Sequence, residues 1–295
     1  MKRPFPHHPQ RPQGQATRGK TARNRLRRVD NFLLRYAPGL LRPDPATEMQ
    51  RWVVDLGFGA TAVTTLEMAR TLRQVNPVLP ILGVEIDRAR VAAAQPFADA
   101  HTTFRLGGFN LPLAPDQEAI VIRAFNVLRQ YEESQVAHAW WQMGQRVSPG
   151  GLLIEGTSDP FGRHWTANVM RHTGNRDQPW RPELLVFSTN FRTGFDPADF
   201  QPVLPKNLIH HMVDGEWIND LFAVWKRAAL ETAGLRVWGV RQWFAASARR
   251  MAAAGMPVNT QSKWLRQGYL LVRVDDNIAP APSDNGNERS TRARV

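Results

Sequence analysis

The chain has 295 residues, 42% of them hydrophobic and none of them cysteine, with a formal net charge of +12. That length allows one large domain or two small ones. The missing cysteines exclude disulfides and thiolate metal sites, and no apolar run approaches the roughly 20 residues that span a bilayer. A cytoplasmic location is the expectation.

The charge is unevenly placed. Nine lysines and arginines, from Lys2 to Arg28, precede the first acid, Asp30, so the rest of the chain carries only +3. Residues 1–22, rich in Pro, Gln, Gly and Arg, bury too little apolar surface to fold alone and read as a disordered basic tail. Such a tail either solubilises the chain or attracts nucleic acid or acidic membrane, with residues 1–28 as the nucleic-acid contact.

From Arg23 the pattern changes. Leu26, Val29, Leu33 and Leu34 recur every three to four residues, which predicts an amphipathic helix to about Tyr36. Its arginines, Arg25, Arg28 and Arg35, lie off the apolar face. They read as a solvated face, or the helix as a lid over a ligand pocket. Next comes Arg51-Trp52-Val53-Val54-Asp55-Leu56-Gly57-Phe58-Gly59-Ala60-Thr61-Ala62. Trp52 to Leu56 read as a buried strand, the glycines as a tight turn, and Val63, Leu66, Ala69 and Leu72 as a helix, with Thr64 to Glu67 matching a capping box. Glycine at such a turn leaves the backbone open to a ligand beside a helix N-terminus. A second unit follows: Ile81 to Ile86 as a strand ending on Glu85, then Asp87 capping a helix through Val91 and Ala94.

Gly57-x-Gly59-x-x-Ala62 also satisfies the dinucleotide pattern. Two details oppose a nicotinamide ligand. Glu85 lies 28 residues past Gly57, whereas that fingerprint expects its acid about 20 on, and Asp55 would repel a pyrophosphate. An acid before the glycines and another at the next strand tip suit a ligand with a cationic end and a ribose end.

Asp55-x-Gly57-x-Gly59 with Gly83-Val84-Glu85-Ile86-Asp87 resembles motifs I and II of the class I S-adenosylmethionine-dependent methyltransferases. Phe104 to Leu113, Ala119 to Leu128 and Val147 to Glu155 resemble the family's third, fourth and fifth strand segments, in order. The resemblance covers residues 50–160 well and 215–275 more loosely. It departs from the family at Thr61, where a third glycine is common, and at Gly108, where an acid commonly contacts the adenine amine. It implies S-adenosyl-L-methionine as cofactor, with Gly57, Phe58 and Gly59 bordering the methionine part and Asp55 anchoring its amino group. Glu85 would hold the ribose hydroxyls, Ile86 would pack on adenine, and Gly108 and Phe109 would border it. Arg123, Ala124, Phe125 and Asn126 would line the sulfonium end.

No Pro-Pro-aromatic signature follows Asn126, so no nucleophile is assigned; His164 and Asn126 are the catalytic candidates. His138 reads as a surface residue of a helix. Residues 160–212 fit the core pattern least. They read as an insertion shaping the acceptor pocket, with Glu183 to Thr189 as a strand. Arg163, Arg171, Arg176, Arg181 and Arg192 with Trp165 and Trp180 suit either a nucleotide site or a packed hairpin with solvated arginines. His210-His211 is a poor metal site, and none is expected. Ile218 to Ala229 predict a helix, Leu235 to Val240 and Gly268 to Val274 the last two strands, with Trp243 and Trp264 as packing residues. Residues 276–295 read as a second disordered tail.

The expected fold is one α/β domain over residues 23–275: a Rossmann-like, seven-stranded, mostly parallel sheet with helices on both faces and an antiparallel last strand. The expected work is methyl transfer to a small molecule. The alternatives are a nucleic-acid methyltransferase using the basic tail, and a non-catalytic binding module that keeps the fold.

Overall fold

The computed structural model describes residues 11–44 and 47–274; the reading of residues 276–295 lies outside them. Among the described residues one sheet of eight strands has the order β3-β2-β1-β4-β5-β6-β7-β8. Strands β1 (Gln50–Leu56), β2 (Ile81–Glu85), β3 (Thr102–Leu106), β4 (Gln117–Phe125) and β5 (Val147–Ser158) are parallel. Strands β6 (His164–His172), β7 (Trp180–Thr189) and β8 (Tyr269–Arg273) are each antiparallel to their neighbours. This is the Rossmann-like layout expected, with one strand more.

The extra strand comes from the presumed insertion. Residues 164–189 form a hairpin that pairs with β5 on one side and β8 on the other. Their alternation explains it: Trp165, Ala167 and Val169 point to one buried face, while Thr166 and Met170 are buried on the other. Leu235 to Val240 corrects the other way. Ala233–Trp238 is a 3₁₀ turn, with Val237 81% and Trp238 72% exposed. The outer edge of β8 is met instead by residues 257–259, and the apolar run between Gly234 and Gly239 does not join the sheet.

Both faces are covered. One carries α1 (Arg27–Tyr36), α2 (Pro38–Leu41) and α3 (Val63–Leu72), with α4 (Arg88–Ala94) beyond β2. The other carries α5 (Val136–Gly144) against β1 and β4, then α6 (Lys206–Ile209), α7 (Trp217–Glu231) and α8 (Val240–Ala253) against β7 and β8. The short α9 (Ser262–Leu265) leads into β8. Helix α1 lies on the sheet and does not form a lid. Leu26, just before it, and Val29, Phe32 and Leu33 are buried, each contributing roughly 1.5–3 kcal/mol. Arg28 is not solvated: its Nε donates to the Ser188 hydroxyl at 2.9 Å, and its guanidinium lies 4.6 Å from the Tyr269 ring centre.

Part of the expected N-terminal tail is also placed. Residues 11–22 cross the C-terminal tips of β1, β2 and β4, and Gly19 is buried there. Residues 1–10 lie outside the described set.

Candidate functional site

The tips of β1, β2 and β4 meet at the glycine turn. Gly57 and Gly59 both have positive φ, 72° and 88°, a conformation that L side chains resist. Space enforces the choice at Gly57, where a Cβ would come within 2.7 Å of Val127 Cγ2. Phe58, between them, turns inward and packs edge-on against Phe104. Gly57 donates its N–H to the Val84 carbonyl, so the turn is tied to β2.

Glu85, at the end of β2, is 1% exposed. Its Oε1 accepts from the N–H groups of Ile86 and Asp87, with Arg90 Nη1 3.6 Å away; its Oε2 accepts from Gly59 N–H at 2.9 Å. Three backbone donors and a guanidinium hold this carboxylate at the rim of the turn. Among the described residues Oε2 has that one hydrogen bond, which leaves it able to accept another.

Asp55 has a different fate. Its Oδ1 accepts from Arg123 Nε at 3.1 Å, and its Oδ2 lies 2.8 Å from Arg123 Nη2 and accepts from the hydroxyls of Thr64 and Thr65 at 3.0 and 2.8 Å. The cause is register: Asp55 pairs with Arg123 across β1 and β4, so the two side chains share the face beneath α1 and α3. Arg123 also pairs with Asp30 of α1, and all three groups are at most 2% exposed. Asp55 therefore borders the cavity below with its acceptors already spent, and Arg123 does not line a sulfonium site but sits in a buried ion triad. Thr64 donates to Asp55, so the expected capping box is not formed. Burial pushes Asp30 up to about 7 despite Arg123.

Asn126 follows β4 with φ 60°. Its Nδ2 donates to the Ser158 hydroxyl at 3.1 Å, and its Oδ1 accepts from Ser158 N–H. Ala124 is buried in the sheet. His164 opens β6; its ring lies 3.7 Å from Asp159, 3.9 Å from Asp199 and edge-on to Phe200. Burial lowers its pKa against the pull of both acids.

Two spaces lie at the strand tips. A cavity of about 330 Å³ is bordered by Asp55, Gly57, Gly59, Phe125 and Asn126, with Arg18, Lys20, Arg25 and Arg129 at its walls; His164 is not among its lining residues. The second is an apolar slot among Ile86, Gly108, Phe109 and Tyr131, where the Phe109 and Tyr131 rings are 5.3 Å apart. Residues 13–17 run over this slot. The Gln13 carbonyl accepts from Phe109 N–H at 2.9 Å, and a Cβ on Gly108 would collide with it. A free volume of about 20 Å³ remains, room for about one water. The sequence reading passes over Tyr131, whose ring only the fold brings to Phe109.

The arginine and tryptophan set of residues 160–192 does not converge. Trp165 is buried in the core, Arg171 is paired with Glu183, and Trp180 donates to the Trp140 carbonyl. Arg176 faces a separate cleft of about 750 Å³ with Arg105, Arg146 and Trp141. Among the described residues no group of three His, Asp or Glu side chains is placed to hold a metal, and no helix is long and apolar enough to cross a membrane.

No protein-family model matches the sequence, and no curated protein matches it. Solved structures do. The chain is similar to structures of S-adenosylmethionine-dependent methyltransferases. Human N-acetylserotonin methyltransferase in complex with SAM is 19% identical over 43% of this chain and 35% of that one, with a TM-score of 0.29. The plantazolicin methyltransferase BpumL in complex with a desmethylPZN analogue and SAH is 13% identical over 45% and 46%, at 0.34. A putative protein-L-isoaspartate O-methyltransferase from Plasmodium falciparum, in complex with S-adenosyl-L-homocysteine, is 13% identical over 52% and 67%, at 0.32. The chain spans less than half the length of the first two. At these values the likeness carries no argument about the site, which rests on its own geometry.

Proposed function

We propose that this protein binds S-adenosyl-L-methionine at the tips of β1, β2 and β4 and transfers its methyl group to a small anionic acceptor. The observation that carries the reading is the pairing of the positive-φ glycine turn with the buried Glu85 carboxylate that accepts from it. Bare backbone and a fixed acid meet at one rim, as a nucleoside with an attached amino acid requires. The donor set fits: Glu85 Oε2 has capacity for a hydroxyl, Ile86, Phe109 and Tyr131 form an apolar slot of purine character, and the 330 Å³ cavity lies on the far side of Gly57. When bound, the cofactor supplies an electrophilic methyl on a sulfonium. The chain's part is to orient the two reactants in line and exclude water.

The acceptor class follows from charge. Beyond residues 11–22, Arg25 and Arg129 line the cavity, and its one bordering acid, Asp55, is already neutralised by Arg123. Two cations there, with no free acid, disfavour a cationic sulfonium alone and favour it beside an anion, so a carboxylate- or phosphate-bearing acceptor suits the site. The volume falls within the range for small ligands. His164 does not line the cavity and is given no part in the transfer.

The test is thermal shift and calorimetry of the full chain with S-adenosylhomocysteine, alone and with Glu85→Gln. Binding by mass action raises the melting point of the wild type at high ligand, and Glu85→Gln weakens the affinity roughly tenfold, the value of one charge-assisted hydrogen bond. A wild-type melting curve unmoved by saturating ligand would sink the reading.

A further inference from the structure

We propose that residues 11–22 form an intrasteric gate, a strap of the chain's own backbone that occupies the adenosine half of the site and must leave before a nucleoside can enter. This rests on the cofactor reading above and adds a regulated closed state to it.

The strap satisfies the pocket as a ligand would. Backbone donors at a binding site need partners when the ligand is absent, and the strap supplies them: Gln13 C=O accepts from Phe109 N–H at 2.9 Å, and Gly19 C=O accepts from Ala60 N–H at 2.9 Å, on the glycine turn itself. Thr17 C=O accepts from Arg90 at 2.9 Å, the same arginine that lies beside Glu85. Gln15 N–H donates to the Tyr131 hydroxyl. Gly14 lies over the slot at the edge of the rings: a Cβ there would come within 3.0 Å of the Tyr131 hydroxyl, 3.5 Å of Phe109 and 3.6 Å of Ile86. A purine cannot share this space, of which about 20 Å³ remains.

The docking is built to be reversible. Contacts are made mostly by main chain, and Gln13, Gly14, Gln15 and Ala16 are exposed on their outer side, so the strap contributes little apolar burial. It also leaves Arg90 Nη1 and the Thr21 hydroxyl buried with no hydrogen-bond partner, each a local cost. Gly14 has φ 133°, a geometry that a β-branched residue resists. The position is thus a handle on the strap.

The experiment uses the full chain, wild type and Gly14→Val, with Asn110→Ala as a second variant because Asn110 holds Gln13 N–H and the Arg11 carbonyl at the strap's start. Trypsin sites at Arg18 and Lys20 report the strap directly. The expected results are slow cleavage at Arg18 and Lys20 in the free wild type, faster cleavage in both variants, and faster cleavage of the wild type when S-adenosylhomocysteine is added. Calorimetry should show the variants binding that ligand roughly tenfold more tightly, because the closed fraction no longer reduces the apparent affinity. Slower cleavage with ligand would overturn the proposal, since the strap would then be a cover closing over the cofactor. Equal, tight affinities in all three proteins would overturn it while leaving the cofactor reading intact. Variants that free the strap by the trypsin measure yet bind no ligand would sink the cofactor reading and this gate with it.

Discussion

Asp30 is where a change of pH reaches the fold most directly. Its carboxyl is 1% exposed, and Oδ2 has no hydrogen-bond partner. Burial is the largest influence and lifts it from 3.8 to about 7; Asp55 and Glu67 push the same way, and Arg123 pulls against them. An acid raised in the folded state contributes stability that is full below its unfolded value and is lost as pH rises through the folded one. The window therefore runs from about pH 4 to just above pH 7. At about 1.4 kcal/mol per pH unit, the gap between 3.8 and about 7 sets a ceiling of about 4 kcal/mol. Asp30→Asn keeps the size and an acceptor for Arg123 while removing the titration. Urea unfolding of both proteins at pH 4, 6 and 8 isolates the effect, because every other titrating group is shared. The variant should gain on the wild type by about 2–4 kcal/mol between pH 4 and pH 8. Parallel curves, or a variant that loses ground as pH rises, would show that Arg123 holds Asp30 ionised throughout and that burial does not govern it.

Three further outcomes follow from the same geometry. Arg123→Leu removes the cation between two buried acids and should cost about 3–5 kcal/mol at pH 7, read by urea midpoint; a loss below about 1 kcal/mol would mean that water or rearrangement replaces the guanidinium. Gly57→Ala forces a side chain onto φ 72° and against Val127, for a loss of about 1–3 kcal/mol; an unchanged melt would show that the turn relaxes freely. His211 bonds Glu133 at 2.5 Å and Glu216 at 3.2 Å, and those acids raise its pKa. His211→Ala should lose less than about 1 kcal/mol at pH 6, given the site's exposure. The loss should vanish by pH 9, once the imidazole is neutral; an equal loss at both pH values would assign it to packing.

The parallel half of the sheet was legible because its signals are local. A short apolar run, a glycine turn and a helical period follow one another in β1–α3, and an apolar run with a capping Asp87 marks β2–α4; Asp87 does accept from Ala89 and Arg90 N–H. The other half was not. Whether residues 164–189 are an insertion or two strands depends on whether β5 offers an open edge, and that is a property of the sheet, not of the segment. Leu235 to Val240 shows the converse: a strand-like pattern becomes a turn, while residues 257–259 take the outer edge of β8. Asp55 illustrates the same limit at the site. An acid two residues before a glycine turn reads as a ligand contact, but its neighbour across the sheet is Arg123, 68 positions away, and register alone decides that the two meet.

The strap follows from that last point in an unexpected direction. The site's donors, Phe109 N–H and Ala60 N–H, are backbone groups whose partners in this structure are strap carbonyls. A ligand-free pocket of this design is left with unmet donors unless water or another stretch of chain meets them. From composition, residues 1–22 read as unable to fold alone; what composition cannot express is that a segment with no core of its own is suited to borrow one, as residues 11–22 do through carbonyls at Gln13, Thr17 and Gly19 and a glycine beside the Phe109 and Tyr131 rings. On the proposed reading, the features that would receive a nucleoside are the ones that receive this glycine-containing backbone, tethered a few residues away. The tether gives that backbone a high effective concentration, so the free ligand must compete with a local rival whose hold is weak but never diluted.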